Sequence, residues 1–300
     1  MYYSVGDDEP VLTCTAVDKN GPVANCSVTG NIDTYTVGTY VVIYTSNNEV
    51  GTTTIEITYH VIDSGSGSSV DLEAYYAGVD DLTGISLRDR LYSIIRTDFI
   101  KVNYDTAKIV LLDSDRDLNT RDNIYLIYNG ESIPAIWDDG ATWNREHVWP
   151  NSRLGIPRVS PSTKNQGSDL HNLRAINRSV NSSRGNRYFV AGSGLNKTVG
   201  KDGYYPGDDH IGDVARILLY MMVMYPDVLN LTNDLYILDN ATSYVPKGAY
   251  MGVLQTLLEW HAADPVDAFE IQRNNVIYDA QKNRNPFIDK PELVSRLFVN

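Results

Sequence analysis

Residues 143–189 read WNREHVWPNSRLGIPRVSPSTKNQGSDLHNLRAINRSVNSSRGNRYF. The stretch sets an adjacent acid and imidazole, Glu146-His147, at the end of an apolar-flanked strand pattern. Pro150 shows that the strand soon ends. Adjacent strand residues point to opposite faces, so both reach one target only if the chain bends or bulges there. Farther on, Asn181 and Asn186 lie on or beside a segment with the pattern of a short helix, and each offers an amide oxygen. These residue types suit cleavage of an anionic ester. Histidine can take a proton from water at neutral pH. A carboxylate with amide oxygens suits a hard divalent cation that keeps several waters.

Charge singles out the same region. The formal net charge is −13, which looks wrong for a partner of nucleic acid. The distribution says otherwise. Residues 145–201 carry ten Lys or Arg against only Glu146 and Asp169, while every other part of the chain is acidic. A basic island holding the chemical motif is where a polyanion would dock.

Outward from that island the organisation changes twice. Residues 52–61 alternate Ile55, Ile57 and Tyr59 with Thr54, Glu56 and Thr58, the period of a half-buried strand. With residues 37–44 and turn signals such as Gly21-Pro22 and Asn47-Asn48, this predicts a small all-β module over 1–63. Residues 64–70 start with SGSGSS and predict a flexible linker. Residues 71–300 predict an α+β domain. A helix is expected from a start at Ser86, with Leu87, Leu91, Ile94 and Ile95 on one face. Residues 109–112 and 123–128 are expected as strands. Residues 214–225 predict a buried helix, and Asp264-Pro265 predicts the start of another.

Two resemblances follow from particular residues. The segment 30–44, GNIDTYTVGTYVVIY, resembles bacterial immunoglobulin-like repeats attached to secreted enzymes, which implies a β-sandwich. The blocks EHVWP, DLHNLR, VNSSRGN and QKNRNPF (281–287), with YYAGVDDLTGISLRDRLYSII (75–95), resemble the bacterial endonuclease I family of periplasmic and extracellular nucleases. That likeness covers nearly all of 71–300. It implies a ββα-metal (His-Me finger) core around one magnesium ion, with manganese or calcium as alternatives. It implies His147 as general base, Glu146 as a metal ligand and Asn186 as the second, with Asn181 the alternative. It implies an arginine on the cleaved phosphate, for which Arg174 and Arg184 are chosen from a set that includes Arg178 and Arg187. His171 could support the site, stack on substrate, or serve as a hydrogen-bonded structural residue. The products implied are 5′-phosphate and 3′-hydroxyl ends of DNA, with RNA as a further substrate.

Cys14 and Cys26 are the only cysteines and fall in the β module, where they could form one disulfide or stay as buried thiols. No signal peptide precedes the acidic start. The expectation is a mature secreted or cell-surface bacterial protein, monomeric and without a membrane span. The acidic series Asp113, Asp115, Asp117 and Asn119 departs from a calcium loop at Leu118 and Ile124, so a local turn is expected. A competing reading makes the β module a binder of a surface or polymer ligand, with a degenerate nuclease domain behind it. Intact Glu146, His147 and Asn186 argue against degeneration.

Overall fold

A computed structural model describes residues 2–4, 9–18, 21–23, 25–36, 38–62, 70–231 and 250–298. The chain divides into two compact units, Met1–Ser69 and Val70–Asn300. Of the linker expected at 64–70, all but Val70 lies outside the described residues.

The first unit holds β1 (Tyr2–Ser4), β2 (Ala16–Asp18), β3 (Gly21–Val23), β4 (Asn25–Thr29), β5 (Gly38–Asn48) and β6 (Gly51–Ile62). One sheet runs β1-β6-β5-β4, and β2 pairs with β3. β5 and β6 form a long antiparallel hairpin closed at Asn48↔Gly51. Asn48 Oδ1 accepts the backbone N–H groups of Val50 and Gly51 and fixes that turn. Ile32, Val42, Tyr59 and Val61 form its small core. Cys14 and Cys26 are joined, with Cα atoms 5.7 Å apart.

The second unit is mixed. It begins with α1 (Leu72–Tyr75), α2 (Gly84–Arg96) and α3 (Tyr104–Ser114). A hairpin of β7 (Asn123–Tyr125) and β8 (Ser132–Pro134) follows. Next come β9 (Trp143–His147), β10 (Leu173–Asn177) and α4 (Arg178–Arg184). β11 (Tyr188–Phe189), β12 (Lys197–Val199) and β13 (Gly203–Tyr205) make a three-stranded sheet. The remainder is α5 (Ile211–Met224), β14 (Asn230–Leu231), β15 (Tyr250–Met251), α6 (Leu254–Ala263), α7 (Ala268–Gln281), α8 (Pro286–Asp289) and α9 (Leu293–Leu297).

Two apolar clusters hold this unit. The larger surrounds α5 and includes Leu91, Trp149, Ile176, Leu218 and Phe287. The smaller joins Leu111, Ile124, Trp143, Leu173, Ala175 and Ile277. The β9–β10 pair contributes to both, so its strands are clamped from two sides.

Three sequence expectations are corrected here. Residues 109–112 are not a strand but part of α3. Asn103 caps that helix by accepting Thr106 N at 2.7 Å, and Ala107 and Leu111 bury one stripe. A run of four apolar residues cannot by itself separate strand from helix. The helix expected from Ser86 starts earlier, at Gly84. The helix expected from Asp264-Pro265 starts at Ala268 instead. Asp267 caps it with a reciprocal Glu270 capping box, while Asp264 ends α6 and accepts Gly212 N at 2.9 Å.

Candidate active site

β9 and β10 run antiparallel, with Glu146 opposite Arg174 and His147 opposite Leu173. The connection between them is folded back by Asn172. Its Oδ1 accepts Trp149 N at 2.7 Å and its Nδ2 donates to Trp149 O at 3.1 Å. α4 follows β10 at once, because Asn177 caps it by accepting Ser179 N at 2.9 Å. Gly185 ends the helix at φ +58°, a conformation suited to glycine, and sends Asn186 off the helix axis.

The result is a cleft of about 680 Å³. Glu146, His147, Asn181, Arg184 and Asn186 all line it, together with Arg145, Arg158 and Tyr104. Four of the residues singled out for chemistry, Glu146, His147, Asn181 and Asn186, thus share one cavity.

His147 Nε2 lies 2.8 Å from the carbonyl oxygen of Gly167. A carbonyl can only accept, so Nε2 carries the hydrogen. In the neutral ring Nδ1 then keeps its lone pair. The ring stacks on Tyr104 with centroids 5.3 Å apart. Burial pushes the imidazole down to about 4, with Arg145 and Arg184 adding in the same direction. The ring is therefore neutral at physiological pH.

Glu146 is only 3% exposed. Its Oε1 accepts the Tyr128 hydroxyl at 2.9 Å and lies 3.4 Å from Arg184 Nη1. Burial raises this carboxyl above its ordinary range, opposed by the Arg184 charge and the Tyr128 hydrogen bond. Asn186 donates Nδ2 to Ser152 Oγ at 3.4 Å, and its backbone carbonyl accepts Arg153 Nε at 2.7 Å. The cleft lining offers oxygen donors from one carboxylate, Glu146, and three amides, Asn151, Asn181 and Asn186, beside the Ser152 hydroxyl. Such a set fits a hard divalent cation that retains water ligands. Among the described residues no cluster of three His, Cys, Asp or Glu side chains could hold a metal. A cation here would rest on Glu146 with amide and water oxygens.

The two expected phosphate-binding arginines part company. Arg184 lines the cleft, but its guanidinium is tied down: Nη1 donates to His147 O at 3.2 Å and Nη2 to Val148 O at 2.5 Å. Arg174 is not brought to the cleft. It is 1% exposed, with Nε on Asp115 at 2.9 Å and Nη1 on Asp213 at 3.1 Å. Two buried carboxylates hold it in the interior, where a substrate phosphate cannot reach it. His171 is also outside the cleft. Its Nε2 lies 3.3 Å from Asn283 O and its ring packs on Tyr220, so stacking on substrate is excluded for it. The other two arginines of that set, Arg178 and Arg187, do not line the cleft either.

Arg145, Arg158 and Tyr104 line the cleft yet were not singled out in the sequence. Both arginines sit in the basic island, and Arg145 is beside Glu146, so charge density was the available signal. Arg145 lies 3.8 Å over the Tyr104 ring, while Arg158 is exposed. The acidic series near residue 115 is structural. Asp115 binds Arg174 and Arg273, and Asp113 pairs with Arg116 at 2.9 Å.

A family model described as Endonuclease I matches residues 83–292. The chain belongs to the endonuclease I family. The matched span encloses every residue that lines the cleft. This endonuclease I chain is also 37% identical to the extracellular ribonuclease of Bacillus amyloliquefaciens over 238 residues, 77% of this chain and 80% of that protein. It is 37% identical to the extracellular ribonuclease of Bacillus subtilis (strain 168) over 236 residues, 76% of this chain and 79% of that protein. In this endonuclease I chain no helix among the described residues is long and apolar enough to cross a membrane.

Proposed function

We propose that the protein is a secreted endonuclease that hydrolyses phosphodiester bonds in nucleic acid with a divalent cation, magnesium foremost. The observation that carries this is the pairing of His147 and Glu146 in one cleft. The ring of His147 is fixed by Gly167 with Nδ1 left as acceptor. On this reading β9, β10 and α4 form a ββα-metal unit, and Glu146 holds the cation with Asn186, Asn181 being the alternative. A bound magnesium ion would supply positive charge to the scissile phosphate and its departing oxygen. His147 Nδ1 takes a proton from the attacking water. Arg158, with Arg145 beside it, draws the polyanion in, and contacts to phosphate rather than to bases leave cleavage sequence-independent. The ends expected are 5′-phosphate and 3′-hydroxyl. A monomer suffices, since one chain supplies all these groups.

RNA as well as DNA belongs in this reading, because both relatives carry the name extracellular ribonuclease. The same names support secretion. The first unit, read as immunoglobulin-like, would act as a spacer or as a binder of a surface or polymer ligand. Against the competing view of a degenerate nuclease domain, Glu146, His147 and Asn186 are all present and line one cleft.

The test is digestion of supercoiled plasmid, single-stranded DNA and RNA with magnesium, manganese, calcium or a chelator. Cleavage should need the cation and should collapse in His147→Ala. Undiminished cleavage in chelator, or near-parent rates in His147→Ala, would refute the mechanism.

A further inference from the structure

The residue beneath the carboxylate stands out. Tyr128 sits at the tip of the β7–β8 hairpin, where Leu126 O accepts Gly130 N at 3.1 Å. Its φ is +76°, in the left-handed region that an aromatic side chain rarely adopts. Such a backbone persists only where its surroundings over-determine it, and it collects at functional sites. Here they do. Ile127 N donates to Ala175 O of β10 at 2.9 Å, which ties the hairpin to the catalytic strand pair. Asn196 Nδ2 donates to Tyr128 O at 2.9 Å, and Tyr204 donates to Asn196 Oδ1 at 3.1 Å. The Tyr128 ring is 2% exposed and packs edge-on to Tyr204, with centroids 5.3 Å apart.

All this places one hydroxyl. Tyr128 Oη donates to Glu146 Oε1 at 2.9 Å. Arg184 approaches the same oxygen at 3.4 Å. Both donors converge on Oε1 and leave Oε2 clear of them. A carboxylate held by one oxygen presents the other in a fixed direction, as outer partners do for metal ligands. We infer that Tyr128 is a positioning residue that locks the rotamer of Glu146, so that Oε2 meets the cation without reorganisation. The inference rests on the reading of Glu146 as a metal ligand.

Tyr128→Phe removes the hydroxyl and keeps the ring, the packing and the backbone. The test is titration of manganese alone into parent, Tyr128→Phe and Glu146→Gln proteins by calorimetry, beside plasmid cleavage at rising magnesium and a thermal melt. In Tyr128→Phe the manganese Kd should rise about tenfold, the worth of one hydrogen bond to a charged group. The maximal rate at saturating magnesium should stay within about twofold of the parent, because metal binding and not the chemical step is disturbed. A merely structural tyrosine would lower the melting temperature and leave the manganese Kd unmoved, and that result overturns the inference. So does a loss of maximal rate at unchanged Kd. If the parent binds no manganese, or Glu146→Gln binds it as the parent does, the ligand reading itself fails and the inference falls with it. That failure shows in proteins whose Tyr128 is intact, so the two failures are told apart.

Discussion

The carbonyl of Gly167 accepts the Nε2 hydrogen of His147 at 2.8 Å, across twenty residues of loop. This bond puts the hydrogen of the neutral ring on Nε2 and leaves Nδ1 with its lone pair. It also makes a residue with no reactive group the anchor of the imidazole. A Cβ at Gly167 would come within 2.4 Å of Val159 Cγ1 and 2.9 Å of Ile156 Cδ1, so the loop must shift.

Gly167→Ala should therefore slow cleavage, by up to about 10²-fold, through misplacement of the imidazole. His147→Ala should cost about 10²–10⁴-fold, the span of general-base contributions. Initial rates of plasmid relaxation at saturating magnesium measure both. A Gly167→Ala protein as fast as the parent would show that the carbonyl does not orient the base.

Arg174 and Arg158 should separate cleanly. Arg174→Ala leaves Asp115 and Asp213 as buried charges short of a partner, so it should lose about 3–5 kcal/mol of stability. Arg158→Ala should leave stability within about 0.5 kcal/mol of the parent. It should weaken nucleic-acid binding and lower the salt slope of log K by about 1. Denaturant melts and binding of catalytically inactive protein at several salt concentrations read out the two effects.

Asp213 should give the second unit an acid-sensitive stability. Burial pushes its carboxyl up, but the His210 ring, with Nδ1 3.7 Å from Oδ2, and the Arg174 charge outweigh burial and hold it below the ordinary range. A folded value under the unfolded one means the stabilisation is complete above about pH 3.9 and is lost as pH falls below it. Asp213→Asn should lower the melting temperature at neutral pH and flatten its fall in acid. Melting temperature against pH for both proteins checks the sign.

The Cys14–Cys26 bond closes a sequence separation of 12 in the first unit. Reduction should destabilise that unit by about 2–4 kcal/mol. Calorimetry with and without a reductant should move the transition of the first unit and leave the other in place.

Much of this was legible before any coordinates. Glu146, His147 and the two asparagines were picked from residue chemistry and spacing, and the cleft gathers all four. The long β5–β6 hairpin followed from alternation and from Asn47-Asn48. What stayed hidden was the partner of each arginine. Arg174 and Arg184 look alike along the chain. Their fates are set by Asp115 and Asp213 for one, and by the His147 and Val148 carbonyls for the other. Those pairings join residues as far as 59 apart, which no local pattern encodes. Tyr128 was hidden for the same reason, 18 residues from the carboxylate it contacts. The strand misread at 109–112 reflects a different limit, since a short apolar run fits either periodicity.

Arg273, on α7, donates to Asp115 and to the carbonyls of Leu170 and Leu173, and Gln281 at the end of that helix holds Leu170 N and Asp169. The strand paired with the one that bears Glu146 is thus latched by residues made more than a hundred positions after Glu146. A growing chain carries every residue of the cleft long before it owns the latch. The second unit can therefore complete these contacts only once α7 has been made.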